Sequence, residues 1–66
     1  MNYQIEVTVY LVNRNYQNFI SESIKSVLNQ SFSNFELIII DDASTDNSRS
    51  IISKYINNKK VRVIFN

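Results

Sequence analysis

The 66-residue sequence has no glycine, proline, cysteine, histidine or tryptophan. Without glycine it lacks the glycine-rich loops that cradle phosphate groups in many nucleotide-binding proteins. Without cysteine and histidine it has neither the usual zinc ligands nor a Ser-His or Cys-His catalytic pair. The lack of cysteine also excludes disulfides, and we expect a reducing, cytoplasmic setting. Carboxylates, amides and hydroxyls remain as the groups that could carry a function.

The net charge is also small, and the sequence has no long apolar run. Seven Lys and Arg against six Asp and Glu give a net charge of +1, which offers no electrostatic argument for nucleic acid or an anionic membrane as a partner. The longest aliphatic run covers residues 37–40, too short for a membrane-spanning helix or a signal peptide. With 44% hydrophobic residues, the chain is expected to fold as one small domain.

Hydrophobic periodicity predicts five elements along the chain. They are a strand from Ile5 to about residue 12, an amphipathic helix over residues 16–29 capped by Asn18, a strand over residues 35–40 buried on both faces, a second helix over residues 45–56, and a third strand from Val61 to the last residue. Connections of this length are right-handed crossovers, so the strands should be parallel. The sequence therefore predicts an α/β fold, half of a doubly wound parallel sheet with three strands and two helices. Because such a sheet has open edges and an uncovered face, we expect a truncated domain.

Two polar loops follow the first two predicted strands, at residues 12–15 and 41–46. Ligands of open parallel sheets bind at the carboxyl ends of the strands, so both loops are candidates for a binding site. The second loop has three carboxylates, which can accept hydrogen bonds from a base or a ribose, or coordinate a hard cation. The same residue types also cap helices whatever the function, and this is the favoured interpretation for Ser44, Thr45 and Asp46.

Residues 20–48, reading ISESIKSVLNQSFSNFELIIIDDASTDNS, strongly resemble the N-terminal segment of family 2 glycosyltransferases. Members of that family typically have a Leu-x-Gln-Ser/Thr turn after the first helix and a following strand that ends in Asp-Asp-Gly-Ser-Thr-Asp. The resemblance extends from about Val7 to Phe65. It implies a Rossmann-like sheet of the GT-A type and a nucleotide-diphosphate sugar, usually a UDP-sugar, as the donor.

The resemblance also implies roles for individual residues. Asp42 would accept a hydrogen bond from the base, with Asp41 supporting the loop. The family's Pro-x-Tyr-Asn loop falls on residues 12–15, where Arg14 replaces the tyrosine and would stack by its guanidinium plane or reach a phosphate. Ala43 replaces the usual glycine, so a positive φ there would strain the loop by about 1 kcal/mol or shift it. The expected nucleotide-binding residues are Val12, Asn13, Arg14, Asn15, Asp41, Asp42 and Ser44.

No catalytic residue or metal ligand is expected within these 66 residues. In full-length members the Asp-x-Asp motif that binds a divalent metal, Mg or Mn, lies further along the chain, as does the catalytic base. Displacement at an anomeric carbon needs such a base and a cation on the leaving diphosphate, so this chain alone is expected to be inactive.

Two other interpretations were considered. One is a non-catalytic α/β interaction module that self-associates, as a homodimer, through its open sheet edge. The other is a receiver-like domain with an acidic magnesium pocket, which fits poorly because 66 residues leave no room for the further strand that it needs.

Overall fold

A computed structural model of the chain describes residues 7–29 and 34–66. The elements are β1 (Val7–Asn13), α1 (Gln17–Leu28), β2 (Phe35–Asp41), α2 (Ser48–Ser53) and β3 (Val61–Phe65). The predicted order of strand, helix, strand, helix, strand is confirmed. Ile5, where the first strand was predicted to begin, lies outside the described residues. No helix within the described ranges has the length and apolar character needed to cross a bilayer.

The three strands form one parallel sheet in the order β1-β2-β3, which confirms the predicted α/β fold. In the register, Asn13 at the end of β1 is opposite Asp41 at the end of β2, and Asp41 is opposite Phe65 at the end of β3. We call this row of three residues the carboxyl edge. The loops that follow β1 and β2 therefore leave the sheet side by side.

The core lies on one face of the sheet. Ile20 and Ile24, one turn apart on α1, pack with Leu37 and Ile39 of β2, and Ile52 of α2 belongs to the same buried cluster. Each fully buried aliphatic side chain of this kind contributes about 1.5–3 kcal/mol. Both helices therefore cover the same side of the sheet.

The opposite face of the sheet is open among the described residues. Tyr10 is 63% exposed, Val12 is 70% exposed and Ile64 is 48% exposed. Along β2, buried residues alternate with half-buried ones such as Ile38 and Ile40. The prediction that this strand is buried on both faces is therefore wrong, because only one face is covered by helices.

Several predicted boundaries also change. Strand β1 continues to Asn13, whose carbonyl accepts a bond from the N–H of Asp42. Helix α2 has six residues instead of the predicted span of residues 45–56. After Ser53 the chain tightens, and the N–H groups of Lys54 and Tyr55 bond to carbonyls three residues back instead of four. The apolar spacing thus continues beyond the helix itself.

Candidate functional site

The carboxylate of Asp41 is the centre of the polar structure at the carboxyl edge. Asp41 is fully buried, and its carboxylate accepts four hydrogen bonds. Oδ1 accepts from Asn13 Nδ2 at 2.9 Å and from Ser44 Oγ at 2.6 Å. Oδ2 accepts from the N–H of Ser44 at 3.1 Å and from Arg49 Nε at 3.0 Å. A buried charge is tolerated only with such compensation, so these donors allow an aspartate to end a core strand.

Two opposing effects act on the pKa of Asp41. Burial raises this pKa, but the hydrogen bonds from Ser44, Asn13 and Arg49 favour the ionised form and hold the pKa below its ordinary value of 3.8. Asp41 is therefore negatively charged at neutral pH, and its oxygens are occupied by the protein itself. It builds the loop and leaves no free acceptor for a ligand.

Asn15 joins the loop after β1 to the loop after β2. Its Oδ1 accepts hydrogen bonds from the N–H of Thr45 at 2.7 Å and of Asp46 at 3.2 Å. Its own N–H donates to Ser44 Oγ at 3.0 Å. The backbone of Asn15 is left-handed, with φ 56°, a conformation that asparagine tolerates better than most residues. The two predicted loops are thus one bonded unit.

Two side chains, Asp46 and Gln17, cap the starts of α1 and α2. Asp46 accepts from the N–H of Gln17, the first residue of α1, at 3.1 Å, and from the N–H of Ser48, the first residue of α2, at 2.9 Å. The Gln17 side chain accepts in return from the N–H of Asn47 at 2.8 Å. The predicted cap Asn18 is wrong, because that residue lies inside α1 and the first free N–H is satisfied from the other loop.

These contacts stabilise the ionised form of Asp46. Burial raises its pKa, but the N–H groups of Ser48 and Gln17, which both donate to its carboxylate, lower the pKa below the ordinary 3.8, against an opposing effect of the Asp41 charge. The ionised form of Asp46 is therefore the one that caps both helices.

Asp42 and Arg14 are members of the predicted site that are exposed and lie outside the bonded network. Each directly follows a residue of the carboxyl edge, Arg14 after Asn13 and Asp42 after Asp41. The main-chain N–H of Asp42 is fixed on the carbonyl of Asn13 at 2.8 Å. Within the described ranges no hydrogen bond or ion pair engages either side chain, so both remain available to a ligand.

The predicted site residues therefore have different surroundings. Asn13, Asn15, Asp41 and Ser44 form the bonded network, and Arg14 and Asp42 are exposed beside it. Val12 is 70% exposed on the open face of the sheet and does not join the network.

Ala43 has a positive φ of 53°. This is the left-handed region that favours glycine, and the predicted condition for strain is met. For a residue with a β-carbon it costs roughly 1–2 kcal/mol.

Arg49 and Gln17 are the members of this network that the sequence did not reveal. Arg49 bonds to Asp41 from α2, and Gln17 exchanges capping bonds with the second loop. An arginine near the start of a helix that follows a buried aspartate is a weak signal, because exposed arginines are common at such positions. The contact of Gln17 connects segments 30 residues apart, and that of Arg49 connects a helix to the preceding strand, so local spacing does not reveal either of them.

Comparison with known proteins finds similarity along most of this chain. The family model described as glycosyl transferase family 2 matches residues 8–66. The chain belongs to glycosyl transferase family 2. A putative glycosyltransferase of Bacillus subtilis, EpsE, is 44% identical over 55 residues, which cover 83% of this chain and 20% of the relative. Chondroitin synthase of Pasteurella multocida is 39% identical over 59 residues, covering 88% of this chain and 6% of the relative.

A solved structure supports the fold of this family 2 chain. The mannosyltransferase of Pyrobaculum calidifontis, in complex with GDP-Man and Mn²⁺, matches with a TM-score of 0.82 at 22% identity. The match covers 97% of this chain and 20% of the mannosyltransferase. The predicted Rossmann-like GT-A sheet is thereby confirmed, and the chain spans a small part of each protein that it resembles.

The divalent metal implied for the family does not fit the described residues. In residues 7–29 and 34–66 no group of three His, Cys, Asp or Glu side chains is placed to hold a metal ion. The oxygens of Asp41 are already taken by protein donors.

Proposed function

We propose that this chain is the N-terminal nucleotide-binding part of a family 2 glycosyltransferase that transfers a sugar from a nucleotide-diphosphate donor, a UDP-sugar, to an acceptor. The observation that carries the proposal is the bonded unit of two loops at the carboxyl edge, with Asp42 and Arg14 exposed beside it. Family membership supports glycosyl transfer, and the GDP-Man held by the structural neighbour supports a nucleotide sugar as donor.

In this proposal Asp42 recognises the base. An ionised carboxylate only accepts hydrogen bonds, so it pairs with a ring N–H such as that of uracil. Arg14 stacks on the base or donates to a phosphate. Asp41, Asn13, Asn15 and Ser44 hold the loops in place, and the backbone at Val12 contributes to the first loop. The catalytic base and the Mg or Mn ligands belong to other parts of a longer enzyme, so this portion alone does not catalyse transfer.

Titration of the chain with UDP, followed by amide NMR, tests the proposal. We expect signals of residues 12–15 and 41–46 to shift at millimolar UDP, with weak affinity because only part of a pocket is formed by this chain. CDP is the matched ligand control, because cytosine has an acceptor at the ring position where uracil has its N–H and keeps a donor only on its amino group, so weaker binding of CDP would assign the Asp42 contact to the ring N–H. The absence of UDP-dependent shifts in both loops would contradict the proposal.

Asp42→Ala should weaken UDP binding about tenfold, the usual effect of losing a hydrogen bond to a charged group. Glu22→Ala removes another exposed carboxylate, on α1, and serves as the control that leaves affinity unchanged. Equal affinities of the two variants would remove Asp42 from the site.

A second candidate is the self-associating α/β module, favoured by the exposed sheet. Among the described residues the outer edges of β1 and β3 are unpaired, and Tyr10, Val12 and Ile64 are exposed on the open face. Unpaired edges are templates for pairing with a second chain. Sedimentation at several concentrations, with and without UDP, separates the candidates: a tight dimer that is indifferent to UDP supports the module.

A further inference from the structure

Arg49, the second residue of α2, contacts two residues of the carboxyl edge, Asp41 and Phe65, and also Asn66. Its Nε donates to Asp41 Oδ2 at 3.0 Å, and its Nη2 donates to the main-chain oxygen of Asn66. The guanidinium carbon lies 5.1 Å from the centre of the Phe65 ring, within the range of a cation–π contact. Its side chain is 43% exposed, whereas the Asp41 side chain is fully buried. One partly exposed side chain thus links α2 to the ends of β2 and β3.

The ends of β2 and β3 are already neighbours through the main chain. The N–H of Asn66 donates to the carbonyl of Asp41 at 2.9 Å, and Phe65 is opposite Asp41 in the register. The side chain of Arg49 bonds to the same two residues, at the Asp41 carboxylate and at the main-chain oxygen of Asn66. Arg49, Asp41 and Asn66 are therefore all bonded to one another at the start of the second loop.

The oxygen that Arg49 holds also sets the turn of this loop. Asp41 Oδ2 accepts from the N–H of Ser44 at 3.1 Å, so one carboxylate oxygen connects Arg49 to the turn of residues 42–44. Without Arg49 the buried carboxylate would lose the one cationic donor among its four, and a buried charge left undercompensated reorients toward water. Ser44 and the exposed Asp42 would then move with it.

We propose that Arg49 is a positioning residue for the nucleotide site, which holds Asp41 so that the turn of residues 42–44 presents the Asp42 carboxylate to the base. This inference rests on the proposed function. Arg49 touches no ligand in it and acts through Asp41 alone. Its fork of N–H donors matches this task, since Nε and Nη2 serve two acceptors at once.

Three variants test the inference through UDP affinity, measured by amide NMR titration. Arg49→Gln should weaken binding about tenfold, within the range of coupling between residues of one network. Arg49→Lys, which keeps the charge but loses the fork, should fall between that variant and the wild type. Arg62→Gln removes an arginine that is 72% exposed on β3, away from Asp41, and should leave affinity unchanged. Equal affinity of Arg49→Gln and Arg62→Gln would overturn the inference while leaving the proposed function intact.

Amide hydrogen exchange without ligand separates positioning from general stability. In Arg49→Gln the N–H of Ser44, bonded to Asp41, should exchange faster, while the N–H of Leu37, bonded to the carbonyl of Lys60 in the core, keeps its protection. Equal acceleration at both amides would overturn the inference, because Arg49 would then only stabilise the fold. If Arg49→Gln does not fold, Arg49→Lys gives the same comparison. A wild-type chain that does not bind UDP overturns the proposed function and this inference with it.

Discussion

Ala43 holds a left-handed backbone angle, φ 53°, between the exposed Asp42 and the bonded Ser44. A β-carbon in this region crowds the neighbouring carbonyl oxygen, and glycine avoids the clash. The turn keeps its shape because Ser44 is bonded on both its N–H and its hydroxyl to Asp41. The strain at position 43 is therefore offset by its neighbour.

Ala43→Gly should stabilise the chain by about 0.5–1 kcal/mol, since relief of the strain exceeds the extra entropy of glycine in the unfolded chain. Urea unfolding measures the change. Ser50→Gly, at an exposed position inside α2, is the control, and there glycine should destabilise by about 0.5 kcal/mol. A loss of stability in Ala43→Gly would show that the turn is not strained.

The negative charge of Asp41 makes the free energy of unfolding depend on pH in the acid range. Because its pKa in the folded state is below the ordinary 3.8, its stabilising contribution is fully present above about that pH and is lost as pH falls through the folded-state pKa. The unfolding free energy should therefore decline below pH 4, and Asp41→Asn should flatten this decline while lowering stability at pH 7. Urea unfolding from pH 3 to 7 checks both, with Asp46→Asn as a comparison. An unchanged slope in Asp41→Asn would contradict the assignment.

The side chains of Asp46 and Gln17 cap the free N–H groups at the starts of α1 and α2. Asp46 serves the N–H groups of Gln17 and Ser48, and Gln17 serves that of Asn47. The residue at the cap position of α1 is Tyr16, which makes no capping bond of its own. The capping of α1 thus depends on a residue from the loop after the next strand.

Asp46→Ala should destabilise the chain by about 1–2 kcal/mol, because one substitution removes the cap of two helices. Amide exchange should accelerate at Gln17 and at Ser48 together, although they lie in different helices. Thr45→Ala is the control, since the exposed Thr45 side chain makes only a long contact of 3.4 Å to Asn15. Acceleration at Ser48 alone would contradict shared capping.

Hydrophobic periodicity predicted the five elements because it reports which face each element buries, and local spacing suffices for that. It made α2 too long, since Tyr55 still contacts the core although its N–H bonds three residues back. The loops after β1 and β2 lie side by side as predicted, but Asn13 and Asp41, which were assigned to those loops, are the last residues of the two strands. The bond from Arg49 to Asp41 and the capping of α1 by Asp46 were missed, because they depend on side-chain geometry between different elements. Nothing local distinguishes those side chains from solvated ones.

Over residues 7–29 and 34–66, which the structure describes, the core lies on one side of the sheet. Ile39 is fully buried against the helices, whereas its neighbour Ile40 is half-buried on the open face. A chain of this length has little stability to spare, because small domains bury a smaller fraction of their surface. The two faces of β2 therefore contribute very different amounts to the free energy of unfolding.

Ile39→Ala should cost about 2–5 kcal/mol and leave much of the protein unfolded at 25 °C. Ile40→Ala is the matched control on the next residue, with an expected loss of about 1 kcal/mol. Circular dichroism during urea unfolding measures both. A similar cost at the two positions would mean that something covers the open face in solution, such as a second copy of the chain.

Mutual capping also bears on how fast the protein folds. The bond from Gln17 to Asp46 spans 29 residues, and that from Asn47 to Gln17 spans 30. The bonds between Gln17 and the second loop therefore form only after the chain between them has closed into a loop, and loop closure of distant segments slows folding. A peptide of residues 17–28 alone should be nearly unstructured in water, because short helices are marginal without such partners. Helix α1 therefore gains its cap from the tertiary structure, and we do not expect it to form before that structure does.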